Sequence, residues 1–120
     1  MRPGAPLVFV ALTFIAAAAN AQPVRRYARE GVGAIAYHRD SNSFGWSVEG
    51  SARQAQVEAL RQCGHPSCEV VLKLRNNCGA VANGPRKSAS AKGATRQEAE
   101  TKALKACGER CEPVVWACTR

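Results

Sequence analysis

One stretch of this chain is written twice, and the duplication limits what the chain can fold into more than any other feature. Ser51–Gly64, SARQAQVEALRQCG, returns as Thr95–Gly108, TRQEAETKALKACG. Ser51 aligns with Thr95, Ala55 with Ala99, Ala59-Leu60 with Ala103-Leu104, and Cys63-Gly64 with Cys107-Gly108. Each copy carries the marks of a helix. Ser51 and Thr95 are N-cap residues, whose side-chain oxygen accepts from an unpaired N–H of the first turn. Gln54 and Glu98 follow at the spacing of a capping box. The interiors hold strong helix formers and neither glycine nor proline. Gly64 and Gly108 stand where a left-handed C-cap is expected. Ala52, Ala55, Ala59 and Cys63 share one face, with Gln56 and Leu60 beside it. Ala99, Ala103 and Cys107, with Ala106 beside them, make its counterpart. Such small residues let a helix backbone lie close against a sheet.

The flanks repeat as well. Gly33–Tyr37, GAIAY, is echoed by Gly79–Asn83, GAVAN, and Glu69–Leu74, EVVLKL, by Pro113–Cys118, PVVWAC. These runs read as strands, β-branched and bounded by turn residues. Phe44–Val48, FGWSV, alternates and forms a hairpin with GAIAY across the polar turn His38–Ser43. Arg86–Lys92, RKSASAK, occupies the same place in the second copy without its aromatics. The unit is therefore strand–strand–helix–strand, used twice. Two copies are too few for a solenoid, which needs about three. The expected fold is one two-lobed α+β domain over residues 33–120, repeats about 33–78 and 79–120, its two helices packed on antiparallel sheet.

Residues 1–21 read as a secretory signal peptide. Arg2 is followed by the apolar run Leu7–Ala19 and by Ala19-Asn20-Ala21, an A-x-A cleavage site before Gln22. The competing reading is a membrane anchor, and the run falls short of the roughly 20 apolar residues a span needs. Residues 22–32 form a polar, basic leader. The expected location is secreted or periplasmic, with no span left after cleavage.

The mature chain of 99 residues, Gln22 to Arg120, has room for one domain. A domain this small buries about 60–70% of the surface its unfolded chain exposes, and exported domains commonly add covalent staples. All six cysteines lie in the mature part. Cys63 and Cys68 bracket the loop from helix to strand, and Cys107 and Cys111 bracket its counterpart. The repeat therefore pairs Cys63 with Cys68 and Cys107 with Cys111. It leaves Cys78 and Cys118, near the ends of the two closing strands, for each other. A zinc site built on the two close pairs is the alternative; a redox C-x-x-C motif is absent.

Removing Arg2 from the formal charge of +8 leaves about +7 on the mature chain. The basic residues are dispersed, with small clusters at Arg25-Arg26-Arg29 and Arg86-Lys87-Lys92. A solvated surface accounts for them; attraction to an acidic protein or an anionic envelope component is the sharper alternative. No nucleic-acid module is present, and Gly31-x-Gly33 lacks the helix a phosphate-cradling loop requires. His38 and His65 sit in loops, with no serine or cysteine placed by sequence to act with them. No cofactor, metal or catalytic set is expected. Tyr37, Phe44, Trp46 and Trp116 are expected to build the core against the alanine-rich helices. The functional alternative is a binding surface made by Trp46, Phe44, Tyr37 and Arg39.

At GAIAY, FGWS, the S-x-x-x-A-x-x-x-A-L-x-x-C-G helix, C-E-V-V and V-V-W-A-C, the chain resembles the domain-of-unknown-function family numbered 4189. That family comprises small secreted bacterial proteins, mycobacterial ones among them, with a duplicated strand–helix unit. The resemblance covers about Gly33–Thr119 and implies an exported protein without a settled activity. Where members often carry a Gly/Trp-rich strand in the second half, this chain has Lys87-Ser88-Ala89-Ser90. The functional expectation is a non-catalytic protein-binding module: an inhibitor, an immunity-type protein or an accessory of a larger secreted factor. The alternatives are a small hydrolase of an envelope polymer, using Glu49 or His38 near Trp46, and a structural envelope protein.

Overall fold

The computed structural model describes residues 31–119, together with Gly4. Apart from Gly4, the expected signal peptide lies outside the described residues, as do all but the last two residues of the expected leader. The described chain runs β1 (Val32–His38), β2 (Ser43–Ser47), α1 (Ala52–Cys63), β3 (Glu69–Arg75), β4 (Cys78–Asn83), β5 (Ser88–Gly93), α2 (Arg96–Cys107) and β6 (Glu112–Cys118). This is the strand–strand–helix–strand unit, used twice. β1 begins within the expected leader, at Val32, which is buried and pairs with Arg75.

The strands form two antiparallel sheets of three, in the orders β2-β1-β3 and β5-β4-β6. The opening strand of each unit is thus central in its sheet. Successive strand side chains point to opposite faces, and both faces of these central strands are buried. Ala34 and Ala36 of β1 pack with Ala55, Ala59 and Cys63 of α1. Ala80 and Ala82 of β4 pack in the same way with Ala99, Ala103 and Cys107 of α2. The intervening Ile35 and Tyr37 turn the other way and meet Leu72, Leu74, Val81, Val115 and Ala117. The result is four layers: α1, first sheet, second sheet, α2. Sequence reading placed helices on the sheet; what it lacked was the second sheet covering each opposite face.

Glycines set the close approaches. A side chain at Gly45 would overlap the Ala59 carbonyl oxygen and the Cys63 amide, so β2 lies directly beneath α1. Gly79 does the same between sheets, where a Cβ would sit 2.7 Å from Leu74 Cδ2 and 2.8 Å from Leu72 Cδ1. Both closing strands carry a register shift at the same place, between Ile35 and Ala36 in one sheet and between Val81 and Ala82 in the other. Each leaves one residue out of register, Val71 and Val114, and both of these pack against the inter-sheet core.

The bridges are Cys63–Cys68, Cys107–Cys111 and Cys78–Cys118, the pairs the repeat implies. Cys78 and Cys118 are direct partners on neighbouring strands. Three details depart from the sequence reading. Ala52 is exposed rather than part of the packed face. Ser51 and Gln54 form a full capping box, but Glu98 reaches the Ala94 amide instead of the Thr95 amide. Gly64 is left-handed, whereas Gly108, at φ 100° and ψ −152°, takes another glycine-specific conformation. The loop after α2 is one residue shorter than its counterpart, so the chain must leave that helix along a different path.

Candidate functional site

β2 is an edge strand, and it meets the flank of α1 along a cleft of about 730 Å³. Trp46, Val48, Glu49, Arg53, Val57 and Gln62 are among its lining residues. Trp46 is 43% exposed and Val57 57%. Gln62 bridges the two elements, its Oε1 accepting from the Trp46 amide at 3.2 Å. At the rim, Glu58 accepts from Arg61 Nε at 2.9 Å and from Gln62 Nε2 at 3.1 Å. The Arg61 and Gln62 hydrogen bonds, with the Arg61 charge behind them, hold the Glu58 carboxyl down at about 2. The same pairing raises the Arg61 guanidinium. The cleft therefore combines exposed apolar surface with a charged rim, the usual anatomy of a protein-binding patch.

The four residues named from sequence as a binding surface do not stay together. Trp46 lines the cleft. Phe44 is 42% exposed and lies two residues along β2 on the same face. Tyr37 is buried, its hydroxyl donating to Asn42 Oδ1 at 2.8 Å; burial raises the phenol, and the Arg39 charge partly offsets this. Arg39 is spent on structure. Its Nη2 donates to the Gly84 and Pro85 carbonyls at 3.3 and 3.2 Å and ties the first hairpin turn to the second.

The expectation of an aromatic core is corrected as well. Of the four aromatics, only Tyr37 is buried. The core space between the sheets is filled by aliphatic side chains. Against the helices only alanine and cysteine side chains are buried, because Gly45 under α1 and Gly93 under α2 bring the backbones too close for a ring. Trp116, 40% exposed, lies under the Arg96 guanidinium at 4.2 Å from the ring centroid. Arg96 is in turn paired with Glu100 at 3.3 Å. This cation–π contact gives Trp116 a local structural role.

Sequence reasoning missed one constellation. The two histidines of the chain stack on each other, ring centroids 4.0 Å apart and planes inclined by 14°. His38 Nδ1 is 2.8 Å from Ser41 Oγ, and His65 Nδ1 accepts from the Ser67 amide at 3.0 Å. The signal was available only through strand pairing. β1 and β3 run antiparallel with Tyr37 opposite Glu69, which sets the residue after β1 against the loop before β3. The His38–Ser41 contact is exposed and lines neither cleft described for this protein. His38 also lies at the far end of β2 from Glu49, opposite Ser43, so the two acid–base residues considered from sequence do not share a site. All six cysteines are in bridges, which removes the thiolates the zinc alternative needs.

Residues 32–118 match the family model described as "Domain of unknown function (DUF4189)". Uncharacterised proteins of Mycobacterium tuberculosis (Rv1813c) and Mycobacterium bovis (Mb1843c) are each 40% identical over 87 residues, covering 72% of this chain and 59% of theirs. The chain thus matches about three-fifths of the length of these relatives. The NMR structure of Rv1813c superposes with a TM-score of 0.58, covering 98% of this chain and 99% of that one. Identity is 24% over that longer alignment, which speaks to the fold alone. On the family match and the shared duplicated fold, the chain belongs to the DUF4189 family.

Proposed function

We propose that this chain is an exported, non-catalytic protein-binding module, serving as an inhibitor, an immunity-type protein or an accessory factor in the periplasm or outside the cell. The cleft beside β2 carries this reading. An extended segment of a partner protein would lie along the edge strand, with an apolar side chain against Trp46 and Val57. Three disulfides fit an oxidising compartment. Among the described residues, no helix is long and apolar enough to cross a membrane.

The test is capture from envelope extract by the oxidised mature protein. Retention of a defined partner, lost in W46A and in V57D while both keep the wild-type melting temperature, is the expected result. No partner at either low or moderate salt would count against the reading. A second reading, hydrolysis of an envelope polymer, draws on Glu49, which lines the cleft with Trp46, whereas His38 does not. Turnover on peptidoglycan that is lost in E49Q would support it.

A further inference from the structure

We propose that a second cleft, between the β4–β5 turn and the end of α2, binds a phosphate-type oxyanion carried on a small organic group. Pro85, Arg86 and Lys87 form one wall, and Lys105, Gly108 and Arg110 form the other, around about 630 Å³. That volume falls in the range of small-molecule sites, roughly 300–1,000 Å³. The lining holds four cations against one acid, Glu109. Among the described residues, none of the four has a carboxylate within 4.0 Å.

The duplication supplies an internal control. Arg61 stands in the first copy where Lys105 stands in the second, and it is paired to Glu58. The position of Glu58 is taken by Lys102 in the second copy, so Lys105 has lost its carboxylate and gained a like charge. The loop matching Arg110 is His65-Pro66-Ser67, with no arginine or lysine. The unit therefore folds without the basic cleft. Lys105 still has a local use, offsetting the partial negative charge of a helix C-terminus. Among the described residues, no carboxylate pairs with Arg86, Lys87 or Arg110.

Arg110 adds an independent observation. Among the described residues, three non-glycine positions have positive φ: Asn42, Asn76 and Arg110. Asparagine tolerates that region; a long side chain does not do so readily. An arginine is held there, at φ 63°, in the turn closed by Cys107–Cys111. Gly84 packs on the same bridge, where a Cβ would meet Cys111 Sγ at 2.5 Å, so both walls are fixed before any ligand arrives. Strain kept at a fixed, charged position points to a use for the side chain. Guanidinium groups suit phosphate because their planar forks match two oxygens at once.

The experiment is an NMR titration of the isotope-labelled, oxidised mature protein with inorganic pyrophosphate, in parallel with vesicles of phosphatidylglycerol and of phosphatidylcholine. The expected result is saturable shifts confined to the amides of Gly84, Arg86 and Lys87 and of residues 105–111. R86A/K87A should weaken binding at least tenfold. R110G should weaken binding yet raise the melting temperature by a few degrees, because glycine relieves the backbone. Vesicle binding restricted to phosphatidylglycerol and competed by pyrophosphate would place the phosphate on a lipid headgroup. Pyrophosphate binding alone would place it on a soluble molecule. Shifts that do not saturate, that spread equally to Arg53, Lys73 and Arg75, or that persist in R86A/K87A would overturn the proposal. The purified chain suffices, so failure here leaves the Trp46 cleft untouched.

Discussion

A methyl group on Gly45 has nowhere to go: the Ala59 carbonyl and the Cys63 amide already occupy its place. G45A should therefore destabilise the protein by about 1–3 kcal/mol through displacement of α1, measured by urea unfolding. A52L, on the exposed side of the same helix, should change stability by less than about 0.5 kcal/mol. Single exposed carboxyls also add a small share of the acid sensitivity. Glu58 is held at about 2 against an ordinary 4.5, by Arg61 first and Gln62 second. Glu98 is lowered as well, by the Ala94 amide and then by Lys102. A carboxyl depressed in the folded state contributes stability above its unfolded value and loses it as pH falls through the folded one. The melting temperature should thus hold steady above about pH 5 and drop between about 4.5 and 2. E58Q should melt slightly lower at neutral pH and show a smaller acid drop.

At the scale of elements, the three bridges do unequal work. Cys63–Cys68 and Cys107–Cys111 span 5 and 4 residues, while Cys78–Cys118 spans 40 and joins the first and last strands of the second sheet. Loop-closure entropy gives about 2 kcal/mol for each short bridge and about 4 kcal/mol for the long one. C78S/C118S should accordingly lose about twice as much stability as C63S/C68S in denaturant titrations. The helices show how far local sequence reaches. Ser51, Thr95 and the alanines at 55, 59, 99 and 103 behave as their spacing predicts. Ala52 does not, because the packed face is narrower than the apolar run. Glu98 does not, because its carboxylate accepts from the Ala94 amide.

The whole molecule is held by the layer between the sheets, where Ile35 and Val81 are fully buried. Neither lobe has this layer without the other. I35A should cost about 2–5 kcal/mol and unfold both lobes together. Trp46 in the first sheet and Trp116 in the second allow a direct check. Fluorescence of W116F reports one lobe and that of W46F the other, and the two transitions should coincide. Separate midpoints would mean that the lobes fold independently.

The candidate sites were legible only in part. Trp46 was picked from its short alternating strand, and it is half exposed and lines the cleft. Tyr37 and Arg39 were picked with it, but one faces the other sheet and the other ties two turns. Arg86 and Lys87 read as scattered charge until the fold set them opposite Lys105 and Arg110. By itself, the sequence determined the duplicated unit, both helices with their caps, the strand runs and the pairing of the cysteines, because these follow from local periodicity and from internal comparison. Only the tertiary structure decided that two sheets face each other, that the tryptophans stay outside and that the histidines stack. Periodicity says which side chains share a face; what covers that face is settled by packing between segments far apart in the chain.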